Sequence, residues 1–286
     1  MRTRFTDLLG CTVPIQLASM GGVGTTALAA EVARAGGLGM VRNSVEPPPN
    51  GGPGALGVNF TRLERTEPAA VAAAAARVRL VEFFYFDPRR DLVEIVHSKG
   101  ALVSWVVGSV EEAVAAAGAG CDLVIAQGVE AGGHVRGVMP LRELIPAVLE
   151  AVRVPVVAAG GIASAEAVAD VLLGLGADGV RIGTRFLATP ECDAHPDYVK
   201  LLLAARGAHD TVMTNHFDDT WPDAPHRVLR SALEAAERSG RRMTAAPTRA
   251  TPSPITDAAL YCGTGVGEVT EVKPAFDVVR ELISLL

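Results

Sequence analysis

The sequence predicts an α/β protein, a (β/α)8 TIM barrel whose mouth is covered by a C-terminal helical and irregular excursion. Three observations carry this. Short apolar runs alternate with helical patterns from residue 14 to residue 205. Eight such strand-like runs can be read, the number that closes a barrel. The runs are apolar throughout, as parallel strands buried on both faces must be. An open doubly wound sheet is the competing architecture.

Taken in order, the strands are expected at 14–20, 37–42, 56–60, 81–85, 102–107, 123–126, 154–158 and 179–182. Helices are expected at 25–35, 69–76, 88–98, 110–118, 141–152, 165–175 and 196–205. The alanine run within 69–76 is read as helix because alanine has the best helix propensity. Pro88 suits a first helical turn. Proline and glycine make 47–53 a loop. Beyond Arg206 the pattern breaks: 211–225 reads as irregular, 227–238 as helix, 245–254 as a Pro/Thr loop and 278–286 as a last helix. The whole of 1–286 is expected to be one barrel domain, with 207–260 as an excursion or lid.

Composition narrows the function. Hydrophobic residues make up 49% and charged residues 20%, enough for a large core. A net charge of −6 without a basic stripe argues against nucleic acid, whose phosphates need clustered Lys and Arg. No apolar run is long enough to predict a membrane span, and no signal peptide is expected, since no apolar stretch follows Arg2 and Arg4. Cys11, Cys121, Cys192 and Cys262 form no CxxC or Cys/His cluster, so neither a zinc site nor a redox dithiol is indicated. Reduced thiols point to the cytoplasm. No carboxylate set for a metal appears.

The candidate site gathers at predicted strand ends. The run Gln127-Gly128-Val129-Glu130-Ala131-Gly132-Gly133-His134 follows the sixth strand. Its glycines allow close backbone approach, and His134 brings the one side chain type whose unperturbed pKa lies near neutrality. Gly160-Gly161 and Gly183-Thr184 close the seventh and eighth strands, where barrels often build a phosphate site. Ser164 is a candidate helix cap, and Arg185 a nearby cation. Ala18, Ser19 and Met20 close the first strand and suit the face of a flat ring, or form simple core and turn. Asn59 offers a donor and an acceptor to a pyrimidine-like edge, or simply a turn; Gln127 has the same chemistry. His97, His195 and His209 read as surface, whereas His216 and His226 fall in the irregular region near the mouth. Gly22, Gly24 and Ala27 match a dinucleotide fingerprint. The acidic residue expected after the next strand is missing, with Asn43 and Ser44 standing there instead. No nucleophile elbow, HExxH or P-loop is present, leaving a phosphate-bearing cofactor to do the chemistry.

At these residues the chain resembles the nitronate monooxygenase family, FMN-binding TIM barrels. The resemblance runs through residues 14–22, Gly57-Val58-Asn59, the Gly-Gly-His run, Ala158-Ala159-Gly160-Gly161-Ile162 and Gly183-Thr184-Arg185-Phe186-Leu187. The tail, 221–230 and 261–267, shares it. The resemblance implies that Ala18, Ser19 and Met20 line the isoalloxazine and that Asn59 and Gln127 bond its polar edges. It further implies that Gly132 and Gly133 pass close to the cofactor, that Gly160, Gly161, Gly183 and Thr184 hold the FMN phosphate, and that His134 faces the substrate. Ser19 stands where many members have proline, and Val106 where a polar residue is common.

The implied activity is oxidation of alkyl nitronates by O2, with a homodimer possible. One alternative is NAD(P)H-dependent reduction of an enoyl thioester, since enoyl-acyl-carrier-protein reductases share the Gly-Gly-His element. The other is a flavin-binding protein without turnover.

Overall fold

A computed structural model describes residues 1–43, 46–49, 51–61, 63–218, 221 and 224–286. Ser44, and with it part of the fingerprint reading, lies outside the described residues, as do Pro222 and Asp223 of the tail.

The strands are β1 (Ile15–Leu17), β2 (Leu38–Arg42), β3 (Ala55–Phe60), β4 (Leu80–Phe84), β5 (Leu102–Val107), β6 (Leu123–Gln127), β7 (Gly133–His134), β8 (Val156–Ala159), β9 (Gly179–Ile182), β10 (Thr211–Thr214) and β11 (His226–Leu229). All eight predicted strands form one closed parallel barrel, in the order β1-β2-β3-β4-β5-β6-β8-β9. β9 closes on β1 with Gln16 beside Arg181. Closure rules out the doubly wound sheet. The fold is a (β/α)8 barrel, as expected.

Helices follow the strands close to the predicted places, among them Thr26–Arg34, Pro68–Ala75, Leu141–Ala151 and Pro196–Ala204. Ser164 caps the helix Ala165–Ala169, its hydroxyl accepting the Ala167 N–H at 3.3 Å. The last turn, Asp170–Gly174, widens into a π-helix. The helix expected from Pro88 starts two residues later, at Arg90. The sequence reading missed the helix Arg4–Leu9, whose buried Phe5 packs on Gly179 at the start of β9.

The excursion departs more from expectation. Residues 211–214 and 226–229 are strands, paired antiparallel with Thr211 opposite Leu229. β11 also pairs with β7, placing His226 opposite His134. The predicted 227–238 helix begins only at Arg230 and runs to Ser239. Its Leu233 and Ala236 spacing is real, but the residues before it gain more from ladder hydrogen bonds to β7 and β10. The final helix is Ala275–Leu282, which returns to the barrel wall with Phe276 beneath the Arg34 guanidinium, 4.0 Å from the ring centroid.

The barrel interior is not purely apolar. Gln16, Asn59, Glu82 and Ser104 are buried within it, and Arg181 nearly so. The Glu82 carboxylate accepts from Gln16 Nε2 (2.7 Å), Asn59 Nδ2 (2.7 Å), Arg181 Nε (3.1 Å) and Arg181 Nη2 (2.8 Å). Burying a carboxylate is tolerable only with such saturation. Arg181→Met is therefore expected to destabilise the fold by about 3–5 kcal/mol, because it strands the Glu82 charge. Denaturant unfolding checks this, and an unchanged midpoint would contradict it.

Candidate active site

A cavity of about 460 Å³ opens at the C-terminal ends of the barrel strands. It is lined by the residues expected to hold the cofactor and the proton acceptor: Ala18, Ser19, Met20, Asn59, Gln127, Gly132, Gly133, His134, Gly160, Gly161, Gly183 and Thr184. Strand ends from opposite sides of the barrel thus converge on one space, the usual position for catalysis in this architecture.

The strand-end loops that follow β8 and β9 carry the most backbone polarity. Gly160 and Gly161 have φ of +125° and +70°, a region that side chains rarely adopt. A Cβ on Gly161 would lie 2.9 Å from Thr264 Oγ1. The amides of Gly160, Gly161 and Gly183 donate to no acceptor among the described residues. The Thr184 hydroxyl already accepts the Gly263 N–H at 2.9 Å. Arg185 does not supply the expected charge: it is buried away from the cavity, bonded to the Glu271 carbonyl, and burial lowers its pKa. Among the described residues, the cations on the cavity wall are Arg42 and Arg181.

The Gly-Gly-His run is shaped by the returning tail. Gly132 lies against Cys262 and Gly263, where a Cβ would come within 2.5 Å of both backbones. Thr264 donates its N–H to the Glu130 carbonyl at 2.9 Å. Gly132 is therefore glycine because of the tail, while still lining the cavity. Gln127 spends its amide on the same run, donating Nε2–H to the His134 carbonyl (3.0 Å) and accepting the Arg136 N–H on Oε1 (2.9 Å). Asn59 spends its nitrogen on Glu82, so it offers the cavity its carbonyl oxygen.

His134 sits in an aromatic and imidazole cluster. Its ring centroid lies 4.7 Å from Trp221, 5.3 Å from His226, 6.0 Å from Tyr261 and 6.2 Å from Tyr85. Its Nε2 lies 2.6 Å from Asp218 Oδ2. Tyr85 holds φ at +84°, a strained conformation that costs of order 1–3 kcal/mol and survives only where packing enforces it. Its ring stacks on Trp221 at 4.5 Å.

Of the other histidines, His195 is not on the surface. It is buried and caps the helix Pro196–Ala204 through Nδ1, which accepts the Asp197 N–H. His97 is partly exposed beside Asp122, and His209 is exposed. His226 is fully buried, and burial holds its pKa below the ordinary value. Cys11 and Cys121 are pushed up to about 12 and Cys192 to about 11, all by burial. All four thiols are buried and unbridged.

The sequence reading missed Arg181, Phe84, Phe217, Asp218, Trp221, Tyr198 and Tyr261 as lining residues. Arg181 left a signal: it is a charge inside an otherwise apolar strand. Phe217 and Asp218 left none, because only tertiary pairing brings them to the mouth, whereas Trp221 and Tyr261 open the two tail runs that carry the family resemblance.

Fold and cavity together point to the class, an enzyme built on a (β/α)8 barrel with its candidate site at the C-terminal ends of the strands. The chain belongs to the nitronate monooxygenase family, whose model matches residues 55–284. With its family it is a flavin-dependent oxidoreductase. It is similar to the (3aS,4S,5R,7aS)-5-hydroxy-7a-methyl-1-oxo-octahydro-1H-indene-4-carboxyl-CoA dehydrogenase of Rhodococcus jostii, 34% identical over 84% of this chain and 69% of that protein. Among solved structures it resembles FabK from Thermotoga maritima, with a TM-score of 0.82, 29% identity and coverage of 99% and 96% of the two chains. It also resembles a nitroalkane oxidase from Streptomyces ansochromogenes, with a TM-score of 0.77, 29% identity and coverage of 99% and 97%. No helix of the described residues is long and apolar enough to cross a membrane.

Two outcomes test this geometry. Gly132→Ala is expected to destabilise by about 1–3 kcal/mol, since backbone on both sides cannot yield cheaply; a wild-type unfolding midpoint would contradict the packing. His226, kept neutral by burial, binds no proton in the fold where the unfolded chain does. Its contribution is intact above the unfolded value near 6.5 and erodes as pH falls through it, down to the depressed folded value. Between about pH 8 and about pH 5, wild type should lose stability relative to His226→Gln, with a slope of at most ~1.4 kcal/mol per pH unit. Parallel stability curves for the two proteins would refute this.

Proposed function

We propose that the chain is an FMN-dependent nitronate monooxygenase that oxidises alkyl nitronates with O2. The observation supporting this is the convergence of a glycine-rich amide cradle, a small-residue wall and an imidazole on one cavity. Its volume lies within the ~300–1,000 Å³ usual for small-molecule sites.

The residues fit the cofactor. A phosphate group needs several N–H donors at a point where no Cβ intrudes, and Gly160, Gly161 and Gly183 supply unpartnered amides there. Thr184 steadies the cradle by tying it to the tail. Ala18, Ser19 and Met20 form a small, polarisable surface for a planar ring. Asn59 presents an acceptor for a ring N–H, Gln127 keeps the run before His134 in place, and Gly132 and Gly133 form the adjacent wall. Bound FMN supplies the redox chemistry between substrate and O2.

The chain's own part is proton handling and enclosure. His134 takes the α-proton of a neutral nitroalkane, or donates a hydrogen bond to a nitronate. Phe84, Phe217, Trp221 and Tyr261 wall the cavity, excluding water and holding the alkyl part. Residues 207–260 act as the lid. The buried, unbridged thiols support a reducing, cytoplasmic setting.

A second reading is reduction of an enoyl thioester by NAD(P)H, and what supports its thioester part is that the Rhodococcus relative is named a carboxyl-CoA dehydrogenase. The purified protein is expected to show the visible spectrum of oxidised flavin, as isolated or after FMN addition, and to be reduced anaerobically by an alkyl nitronate. Absence of that spectrum after FMN addition would overturn the cofactor. Reduction by NAD(P)H but not by nitronate would overturn the substrate in favour of the thioester. His134→Ala is expected to slow turnover of a neutral nitroalkane by about 100-fold or more.

A further inference from the structure

The cavity is also lined by Asp218, a residue of the excursion. Its Oδ2 lies 2.6 Å from His134 Nε2, and its Oδ1 accepts the Trp221 N–H at 2.8 Å. The side chains of His134 and Asp218 are only 18% and 10% exposed. A short contact between two sheltered groups is worth more than the same pair in water.

We propose that Asp218 is the positioning residue for His134, fixing its tautomer and balancing the charge the ring acquires when it takes a proton. The inference rests on the proposed role of His134 as proton acceptor. A carboxylate oxygen only accepts, so Nε2 carries the hydrogen and the basic lone pair lies on Nδ1. The α-proton of a nitroalkane moves to Nδ1 while the C–H electron pair stays on the substrate as nitronate. The ring becomes imidazolium with the Asp218 carboxylate at its far side. The logic is that of an aspartate orienting a catalytic histidine, reached here from a different fold.

Among the described residues, Asp218 is the carboxylate in contact with this ring. Facing His134 are His226 on β11, Tyr261 and Trp221 from the tail, and Tyr85 after β4. His226 Nε2 accepts the Phe217 N–H at 3.3 Å, so its Nδ1–H donates to the Ala224 carbonyl at 3.2 Å. That tautomer is neutral, in keeping with its lowered pKa. Arg136, over the outer face of Tyr85 at 5.4 Å, is neutralised by Glu112 (2.8 Å) and Asp87 (3.2 Å). His226 also anchors the Phe217 amide next to Asp218, so the pair forms only when this stretch of the excursion is docked on the barrel.

The test uses flavin-loaded enzyme. Ring ¹⁵N NMR of wild type, with the His134 signals assigned by their loss in His134→Ala, should show the neutral Nε2–H tautomer. The Nδ1–H tautomer would overturn the proposal without any Asp218 variant. In Asp218→Asn the His134 pKa should fall by about 1 unit or more, and the midpoint of the kcat/KM rise with pH should move down with it. Turnover of neutral nitroalkane should fall at least ~10-fold more than turnover of preformed nitronate, which has no proton to lose. Asp218→Glu should recover part of that loss. An unmoved titration, or equal losses on both substrates with an unmoved midpoint, would reduce Asp218 to a structural residue. Wild-type nitroalkane turnover in His134→Ala would instead defeat the proton-acceptor role, while the tautomer and ring titration would still report on Asp218.

Discussion

The site exists because a returning stretch of tail lies backbone to backbone on the run that ends in His134. Gly132 meets Cys262 and Gly263 without side chains between them, and Thr264 bonds the Glu130 carbonyl. Gly263 then reaches Thr184 on the far rim, so one short segment ties two strand ends together. β11 extends the same attachment by pairing with β7. Without this seam, His134 would sit on a loop with little to orient it.

Beneath the rim the barrel carries a polar layer in which the Glu82 carboxylate accepts four hydrogen bonds, while Gln16 Oε1 and Ser104 Oγ find no partner among the described residues. It settles which end of Asn59 meets the cavity and holds a guanidinium at the wall. Such an arrangement adds little net stability over an apolar filling. Its value lies in orientation, because each donor has one acceptor to find.

Most of the barrel was legible in the sequence. Parallel strands buried on both faces read as apolar runs, and all eight were located, with edges displaced by up to three residues where ladder pairing stops early, as at β1. The rim residues were legible too, because glycines and polar groups at strand ends are conspicuous against apolar runs. The excursion was not. The strand His226–Leu229 precedes a true amphipathic helix, and local periodicity absorbed it into that helix. His195 looked like surface beside polar neighbours, though it is a buried cap. Asp218 could not be foreseen, since 84 positions separate it from His134 and nothing local marks it. Arg185 was credited with a charge that Arg181, four residues earlier, supplies.

The cavity wall is divided between barrel and excursion. The barrel rim contributes the amide cradle and small-residue wall, whereas Phe217, Trp221 and residues 244–246 come from the excursion. In the proposed reading, grip on the cofactor and choice of substrate are thus written in separate stretches of the gene. A change in the excursion would then reshape the pocket that receives substrate and leave the amide cradle beneath it in place.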